Sequence, residues 1–192
     1  MSNFILYTYQ HTCKAGHPAY ILAKSPFKAV VRMVEGKKKI PFLGTGYYFW
    51  EENKEAAHRW GKNHYYNKYN VIEYKDLKIS KSDLLDLGDR RDLAYLEEIK
   101  KPYIAKNPKF KNWRIANWIE FFREETKKDS TIFPRKFIRA EENLPDNEEN
   151  NNLKKKVFFT EGVSYYTYAS PLLIVCVLDT SKMDFKTKTL LK

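Results

Sequence analysis

Strand-forming segments occupy both ends of this sequence, and helix-forming segments lie between them. Branched and aromatic residues predict a first strand over residues 4–12 and a late, strongly apolar strand over residues 172–178. Further strands are predicted over residues 42–50, 71–79 and 157–160. This order differs from the regular strand–helix alternation of a doubly wound sheet. It predicts an α+β fold in one domain, residues 1–192, because this length is ordinary for a single domain.

Capping residues predict where the first three helices begin and end. The Ser-Pro pair at 25–26 is typical of a helix start, and Gly36 of the position just after a helix. Asn53 and Asp89 are predicted to cap the next two helices, because their side chains can accept from free amides of the first turn. Pro102 is predicted to close the helix that begins at Asp89.

Two later segments have contrasting compositions. After a predicted cap at Asn112, four residues recur at helical spacing and predict an apolar helix face: Ile115, Trp118, Ile119 and Phe122. Residues 141–156 are polar and low in complexity, with acidic, asparagine and lysine blocks in turn. They predict a surface loop or insertion rather than a linker between domains.

The composition indicates a folded, basic, unexported protein. Hydrophobic residues make up 43% of the chain, which is too rich for a disordered protein. No run approaches the roughly 18 apolar residues of a membrane span, and no secretion signal is recognisable, so we predict a cytoplasmic protein with no membrane partner. The two cysteines, Cys13 and Cys176, are predicted to be reduced. The net charge of +11 indicates either a polyanionic partner or a solubilising surface.

The basic residues are concentrated in one stretch. Residues 99–119 contain no acidic side chain but six cationic ones, mixed with aromatic residues. Such a mixture suits a surface that contacts phosphates and stacks bases, and we predict that Lys106, Lys109 and Lys111 contact nucleic acid. The alternative is that the aromatic residues are core and the lysines a solvated face.

The first strand contains a candidate site residue, His11. Together with Cys13 and His17 it matches no metal-ligand spacing, so we predict no metal. No P-loop and no glycine-rich dinucleotide motif is present. Taken alone, His11 is typical of a strand-end histidine bonded to the backbone.

Three segments of the chain together suggest more than this. They are His11-Thr12, the Gly-Thr-Gly-Tyr-Tyr-Phe run at 44–49, and the Lys-Glu-Ala-Ala-His-Arg-Trp run at 54–60. Glycines before a strand let a ligand or another backbone come close. In these motifs the chain resembles the ADP-ribosyltransferase superfamily, in its diphtheria-toxin and poly(ADP-ribose)-polymerase-like branch. The resemblance covers the first third of the chain and implies a split, mainly antiparallel sheet.

The resemblance also implies NAD as co-substrate and a role for each matching residue. His11 would bind a ribose of NAD, and the main chain at Thr12 would hold the nicotinamide carboxamide. Gly46 would let the ligand approach, Tyr48 would stack on the nicotinamide ring, and Trp60 would cover its other side. The family often has a helix serine on the carboxamide. This chain has alanine there, which leaves that contact to the backbone or weakens NAD binding.

The chemistry of the family requires a carboxylate as well. Cleavage of the nicotinamide–ribose bond passes through an oxocarbenium-like state, which a nearby negative charge stabilises. The family places a glutamate at a late strand, whereas Ser170 and Pro171 stand there in this chain. We therefore predict Glu161 as the catalytic carboxylate beside His11 and Tyr48. Glu73 and Glu120 are the alternatives, the first expected to point outward and the second to be solvated.

The resulting prediction is a mono-ADP-ribosyltransferase that modifies a macromolecule, with a slight preference for nucleic acid over protein. The resemblance and the small size suggest a bacterial or phage-related toxin or effector, whose partners would include a cognate antitoxin or inhibitor. Two alternatives stay open. One is a non-catalytic basic nucleic-acid-binding module, and the other is a nuclease that uses His11, His17 or His58 as general base.

Overall fold

The computed structural model describes residues 4–142, 156–158, 166–168, 171–181, 183, 185 and 187–192. The helices within these residues are α1 (Pro18–Lys24), α2 (Lys54–Tyr65), α3 (Arg90–Lys106) and α4 (Ile115–Lys128). The strands are β1 (Phe4–Lys14), β2 (Lys28–Ala29), β3 (Arg32–Val34), β4 (Lys37–Lys39), β5 (Gly46–Glu51), β6 (Tyr69–Ser80), β7 (Leu84–Asp86), β8 (Phe137–Glu141), β9 (Lys156–Phe158), β10 (Tyr166–Tyr168), β11 (Leu173–Val177) and β12 (Lys188–Leu190). No helix of the described residues is both long and apolar enough to cross a membrane.

One large sheet organises the fold. Its strand order is β12-β6-β1-β5-β11-β8-β7, with β2 added on β5, and β7–β8 is the one parallel pair among those described. The pairs β3–β4 and β9–β10 form two separate ladders. The α+β class and the mainly antiparallel, split sheet predicted from the sequence are therefore confirmed.

The sheet divides between β1 and β5. Strand β1 follows β6 along almost its whole length but pairs with β5 at only two positions, Tyr9 with Glu51 and Gln10 with Trp50. Beyond these positions β2 takes the place of β1 beside the first half of β5. The described part of β1 after Gln10 consequently has no strand partner on its β5 side.

The two faces of the sheet carry different cores, because successive residues of a strand point to opposite sides. The helix-covered face packs against α2, α3 and α4, and its strand residues include Trp50, Val71, Leu85, Ile138, Ile174 and Cys176. The opposite face packs against Ile21 and Leu22 of α1 and against Met183 and Phe185, and its strand residues include Tyr9, Phe49, Ile72, Tyr74, Phe137 and Val175.

The predicted starts of α2 and α3 are confirmed. The Asn53 side chain accepts from the amide of Ala56 at 2.9 Å, and the Asp89 side chain accepts from the amide of Arg91 at 2.7 Å. The end predicted for α3 is wrong, because Pro102 lies inside the helix, which continues to Lys106. The residues after Pro102 include Tyr103 and Ile104, which pack on the core and hold this last turn in place.

Two further predictions concern α4 and its start. Trp118, Ile119 and Phe122 are buried, as the apolar face predicted. The cap predicted at Asn112 is wrong, because this residue ends a short 3-10 turn and α4 begins at Ile115. The predicted loop at 141–156 lies outside the described residues except for its ends.

The helix predicted to run from residue 25 to Gly36 is also wrong. The Ser25–Pro26 peptide bond is cis, and the chain then forms β2 and the hairpin of β3 and β4. Glu35 and Gly36 have φ angles of 51° and 72°, the positive values that a two-residue hairpin turn of type I′ requires. The glycine therefore marks a hairpin turn, and the branched residues Val30, Val31 and Val34 favour extended backbone over helix.

Candidate functional site

The Tyr48 hydroxyl closes the glycine turn that precedes β5. It donates to the Gly44 carbonyl oxygen at 2.6 Å and accepts from the Leu43 amide at 2.8 Å. Burial, above all, raises the pKa of Tyr48, and the neighbouring Cys176 and Glu120 raise it further. Tyr48 is half-buried, and its phenol stays protonated at neutral pH.

Helix α4 holds the same turn from the other side. The Glu120 carboxylate accepts from the Thr45 amide, and Arg123 Nη1 donates to the Thr45 carbonyl oxygen at 2.8 Å. Gly44 has a φ of +84°, and a Cβ on it would lie 2.8 Å from Glu120 Oε1. Glu120 is therefore not the solvated helix residue expected from the sequence, since its side chain is 20% exposed and it anchors the turn.

Gly46 permits close packing of two strands. A Cβ on Gly46 would collide with the sulfur of Cys176 and lie 2.8 Å from the carbonyl oxygen of Val177. Of the two uses that the sequence left open for this glycine, the structure shows the approach of another backbone, that of β11. Contact of Gly46 with NAD stays a prediction.

His11 bonds to main-chain atoms on both sides of its ring. Its Nε2 accepts from the Phe27 amide at 3.0 Å, so Nδ1 carries the proton and donates to the Tyr48 carbonyl oxygen at 2.9 Å. The residue is 4% exposed and its ring lies 5.6 Å from that of Phe49. It thus joins β1 to β5 and to the segment entering β2, at the point where the sheet divides.

Burial lowers the pKa of His11 to about 4, against the smaller raising effect of its bond to Tyr48. The imidazole is neutral at neutral pH, and the lone pair on Nε2 is already used by Phe27. This geometry argues against His11 as a general base. It also means that a ribose hydroxyl can bond Nε2 only if the Phe27 amide moves away.

The other residues of the predicted NAD site share the helix-covered face. Thr12 Oγ1 donates to the Ala57 carbonyl oxygen of α2 at 2.8 Å. Tyr48 and Trp60 both pack at the margin of the core under α2 and α4. Trp60 lies 6.3 Å from Trp50 between ring centroids. The structure therefore brings Thr12, Gly46, Tyr48 and Trp60 to one face, while the His11 ring lies on the other.

Two further candidate carboxylates are Glu161 and Glu73. Glu161 lies outside the described residues, so its role stays a prediction. Glu73 is half-buried on β6 and forms an ion pair with Lys75 at 3.8 Å.

A charged cluster on the opposite face was not predicted. Arg139 of β8 donates to Glu51 at 2.6 and 3.1 Å and to Asp86 at 2.9 Å. Burial lowers the pKa of Arg139, but the hydrogen bonds to the two carboxylates outweigh burial and raise it, so the guanidinium stays charged. The sequence feature that could have indicated this cluster is an arginine directly after Phe137 and Ile138, inside a short apolar strand.

The basic stretch at 99–119 contains one buried aromatic residue, Trp118, three half-buried ones, and lysines that are exposed except for Lys100. Its aromatic side chains pack with one another under α4, and the Phe110 and Trp113 rings are 4.0 Å apart between centroids. Trp118 is a core residue, and Tyr103, Phe110 and Trp113 pack against the core, which accounts for their positions without a stacking surface. Lys106, Lys109 and Lys111 are exposed and, within the described part of the chain, form no salt bridge.

His58, a second candidate general base, contacts a tyrosine. His58 lies 3.1 Å from the Tyr69 hydroxyl, and burial, above all, lowers its pKa. Among the residues that the structure describes, no three His, Cys, Asp or Glu side chains are grouped so as to hold a metal ion.

The chain was also compared with known proteins. No family model, no curated protein and no solved structure matches it. The functional conclusion therefore depends on the site and on the motifs that form it.

Proposed function

We propose that this protein is an NAD-dependent mono-ADP-ribosyltransferase that modifies a macromolecule. One observation carries the proposal: the three segments that resemble the family are in direct contact. His11 of β1 bonds to the main chain of Tyr48 in β5 at 2.9 Å. Thr12 bonds to α2 at Ala57 at 2.8 Å. Segments far apart in the sequence thus meet at the division of the sheet, as a shared site requires.

The nicotinamide subsite would lie on the helix-covered face. Tyr48 and Trp60 are half-buried there, so each ring is fixed by packing. The His64 ring stacks on one face of Trp60 with 3.6 Å between centroids, so nicotinamide would stack on the other face of Trp60 and on Tyr48. Strand β1 leaves β5 after Gln10, and this edge of the main chain near Thr12 is where a carboxamide could bond. Loss of nicotinamide leaves positive charge on the ribose, and a carboxylate beside it, Glu161 in this proposal, lowers the barrier.

His11 would contribute in two ways. It holds the junction of β1, β5 and the segment before β2, and so positions Tyr48. Direct contact with a ribose through Nε2 requires release of the Phe27 amide. The proposal therefore includes movement of residues 25–29 when NAD binds.

The two adjacent tyrosines of β5 provide a matched test. Tyr48→Leu keeps an apolar side chain but removes the ring on the helix-covered face, together with the hydroxyl that closes the glycine turn. Tyr47→Leu makes the same replacement on the opposite face. We expect Tyr48→Leu to abolish nicotinamide release from NAD and Tyr47→Leu to retain it. Thermal unfolding of both variants verifies that they are folded. Equal rates of release in the two variants would remove the stacking role from Tyr48.

The catalytic carboxylate has its own test. Glu161→Gln keeps the shape of the side chain but removes the charge that stabilises the oxocarbenium ion. Turnover should fall by orders of magnitude while NAD affinity changes far less. Wild-type protein that releases no nicotinamide, even with a whole-cell extract supplying acceptors, would overturn the transferase assignment itself.

A second function, a non-catalytic nucleic-acid-binding module, is favoured by the exposed lysines of the basic stretch. Lys106, Lys109 and Lys111 lie close together in the chain and lack acidic partners among the described residues. Reversing all three to Glu should weaken nucleic-acid binding in low salt. Tight binding by a wild-type protein that never turns over NAD would favour this module.

A further inference from the structure

A second concentration of cations lies in the hairpin of β3 and β4, which we name the basic ribbon. It spans Arg32–Val34 and Lys37–Lys39, joined by the two-residue turn of Glu35 and Gly36. Within the described residues its two strands pair with each other and with no other strand. It carries four cationic side chains and one carboxylate.

The pairing within the basic ribbon places like charges side by side. Arg32 lies directly opposite Lys39. Lys37 is two residues before Lys39 in β4, so both lysines lie on the same face. Like charges opposite each other in a ladder destabilise it. Lys38, opposite Met33, points to the other face. This arrangement weakens the isolated hairpin. The stability of the hairpin therefore does not explain why these charges are clustered.

The cations of the basic ribbon are exposed and not neutralised by the protein. Arg32, Lys37, Lys38 and Lys39 are all exposed, and among the described residues none of them forms a salt bridge. This contrasts with the lysines of α4, where Lys127 and Lys128 pair with Glu124 and Glu125. The ribbon thus offers an array of free positive charges on a narrow element.

Apolar side chains accompany these charges. Met33 is 66% exposed at the centre of β3, and Val30 and Phe42, which flank the ribbon, are exposed as well. A phosphate backbone would neutralise the cations, while exposed apolar atoms suit contact with base edges such as the thymine methyl group.

We propose that the basic ribbon is a docking element for double-stranded DNA, inserted into the major groove. An antiparallel pair has strands about 5 Å apart, and the major groove of B-form DNA, about 12 Å wide, admits a two-stranded ribbon. Double-stranded RNA is not the match, because its major groove is too narrow for side chains to read. If the transferase proposal holds, the ribbon identifies the acceptor class, but the binding itself needs no NAD.

The test compares two double variants with the same change in net charge. Lys37→Glu/Lys39→Glu alters the basic ribbon. Lys78→Glu/Lys81→Glu alters two exposed lysines elsewhere that also lack salt bridges among the described residues. Binding of the full chain to a fluorescein-labelled DNA duplex is measured by anisotropy over a range of salt concentrations, without NAD.

We expect the ribbon variant to bind more weakly and with a smaller salt dependence. Each phosphate contact contributes about 0.9 to the slope of log K against log salt, so loss of two contacts lowers the slope by about 2. The control variant should keep the wild-type slope. Because Lys39→Glu replaces a like-charge pair with an Arg32–Glu pair, the ribbon variant should also unfold at a temperature no lower than wild type.

Two results would overturn the proposal. One is an equal loss of affinity in both double variants, which would mean that only net charge matters. The other is wild-type protein that does not bind the duplex, and binding to phosphatidylserine vesicles through the same lysines would then identify a membrane surface as the partner. Lys37→Gln/Lys39→Gln repeats the test without reversed charge, and nicotinamide release is assayed separately, so failure here leaves the transferase proposal intact.

Discussion

The two faces of the large sheet are stabilised by different physical means. On the helix-covered face, apolar side chains fill the space under α2, α3 and α4, and polar groups such as the Tyr48 hydroxyl bond to main-chain atoms at its margin. The opposite face encloses ionisable groups, His11 and the cluster of Arg139, Glu51 and Asp86. Ion pairs also occur on the helix-covered side, Glu120–Arg123 and Arg59–Glu142, but their side chains are 11–23% exposed. Glu51 and His11 on the opposite face are buried more deeply, so the opposite face depends more strongly on charge state.

The largest effect is expected from breaking the charged cluster. Arg139→Ala leaves two carboxylates close together on the sheet, one of them Glu51, whose side chain is only 5% exposed. Removing one partner of a buried ion pair costs about 3–5 kcal/mol. Urea unfolding at neutral pH measures the loss.

An exposed ion pair provides the control for this prediction. Arg91 bonds Asp89 at 2.8 Å, but its side chain is 91% exposed, so Arg91→Ala should leave the free energy of unfolding nearly unchanged. Replacing Arg139, Glu51 and Asp86 together by apolar residues should recover much of the stability lost in Arg139→Ala. Equal effects of Arg139→Ala and Arg91→Ala would contradict the prediction that the cluster stabilises the protein because it is buried.

The second effect is a pH dependence that comes from the opposite face. The pKa of His11 is lowered to about 4 in the folded protein, from about 6.5 in the unfolded chain. At a pH between these two pKa values, His11 is protonated in the unfolded chain but not in the folded protein. The free energy of unfolding therefore falls as the pH decreases from about 6.5 to about 4, and it levels off below pH 4. The shift corresponds to about 3 kcal/mol.

This contribution is measured as a difference between two pH profiles. Free energies of unfolding of wild type and His11→Gln should converge as the pH falls through this window, because the variant lacks the titrating group. His11→Gln should also be less stable than wild type at neutral pH, since it disturbs the bonds to Phe27 and Tyr48. Parallel profiles would show that His11 does not titrate as a buried group.

A smaller effect is expected from overpacking the helix-covered face. Gly46→Ala places a methyl group against Cys176 and 2.8 Å from the Val177 carbonyl oxygen, and should destabilise the protein by about 1–3 kcal/mol. The loss should be independent of pH. Gly88→Ala is the control, since its new Cβ would meet only Asp86 Oδ1 at 3.2 Å, the carboxylate oxygen that does not bond Arg139, and no backbone atom.

A double-mutant cycle sharpens this prediction. Cys176→Ala removes one of the two atoms that Gly46→Ala would strike, so the double variant should lose less stability than the two single losses together. Additive losses would mean that β5 and β11 shift apart without resistance, and that the close approach is not required.

The smallest effect concerns the glycine turn. Glu120→Ala leaves the half-buried Thr45 amide without its acceptor and should cost about 1 kcal/mol. Glu124→Ala, which removes an exposed partner of Lys127 on the same helix, is the matched control and should change stability less. An equal or larger loss in the control would show that the Glu120 bond does not stabilise the turn.

Local signals in the sequence were sufficient for several elements. Asn53 and Asp89 cap their helices because a short polar side chain can satisfy nearby amides wherever the helix lies. The late apolar strand and the buried face of α4 follow from hydrophobic periodicity. These features depend on residues a few positions apart, and they were enough to predict the α+β class.

Where a local signal had two meanings, the sequence could not choose between them. Gly36 suits a helix end or a hairpin turn, and the structure uses it in the hairpin. Gly46 suits the approach of a ligand or of a strand, and the structure shows the strand. The deciding factor in each case is what packs nearby, which the residues themselves do not state.

The candidate site shows the same division. The sequence alone determined the residue types of the motifs, the alternation of Tyr47 and Tyr48 between two faces, and the concentrated positive charge. Only the tertiary structure decided that His11 bonds residues 16 and 37 positions away, and that Arg139 bonds Glu51 88 positions away. The reason is that strand order and register bring these partners together, and a shift of one residue in register would turn every side chain to the other face.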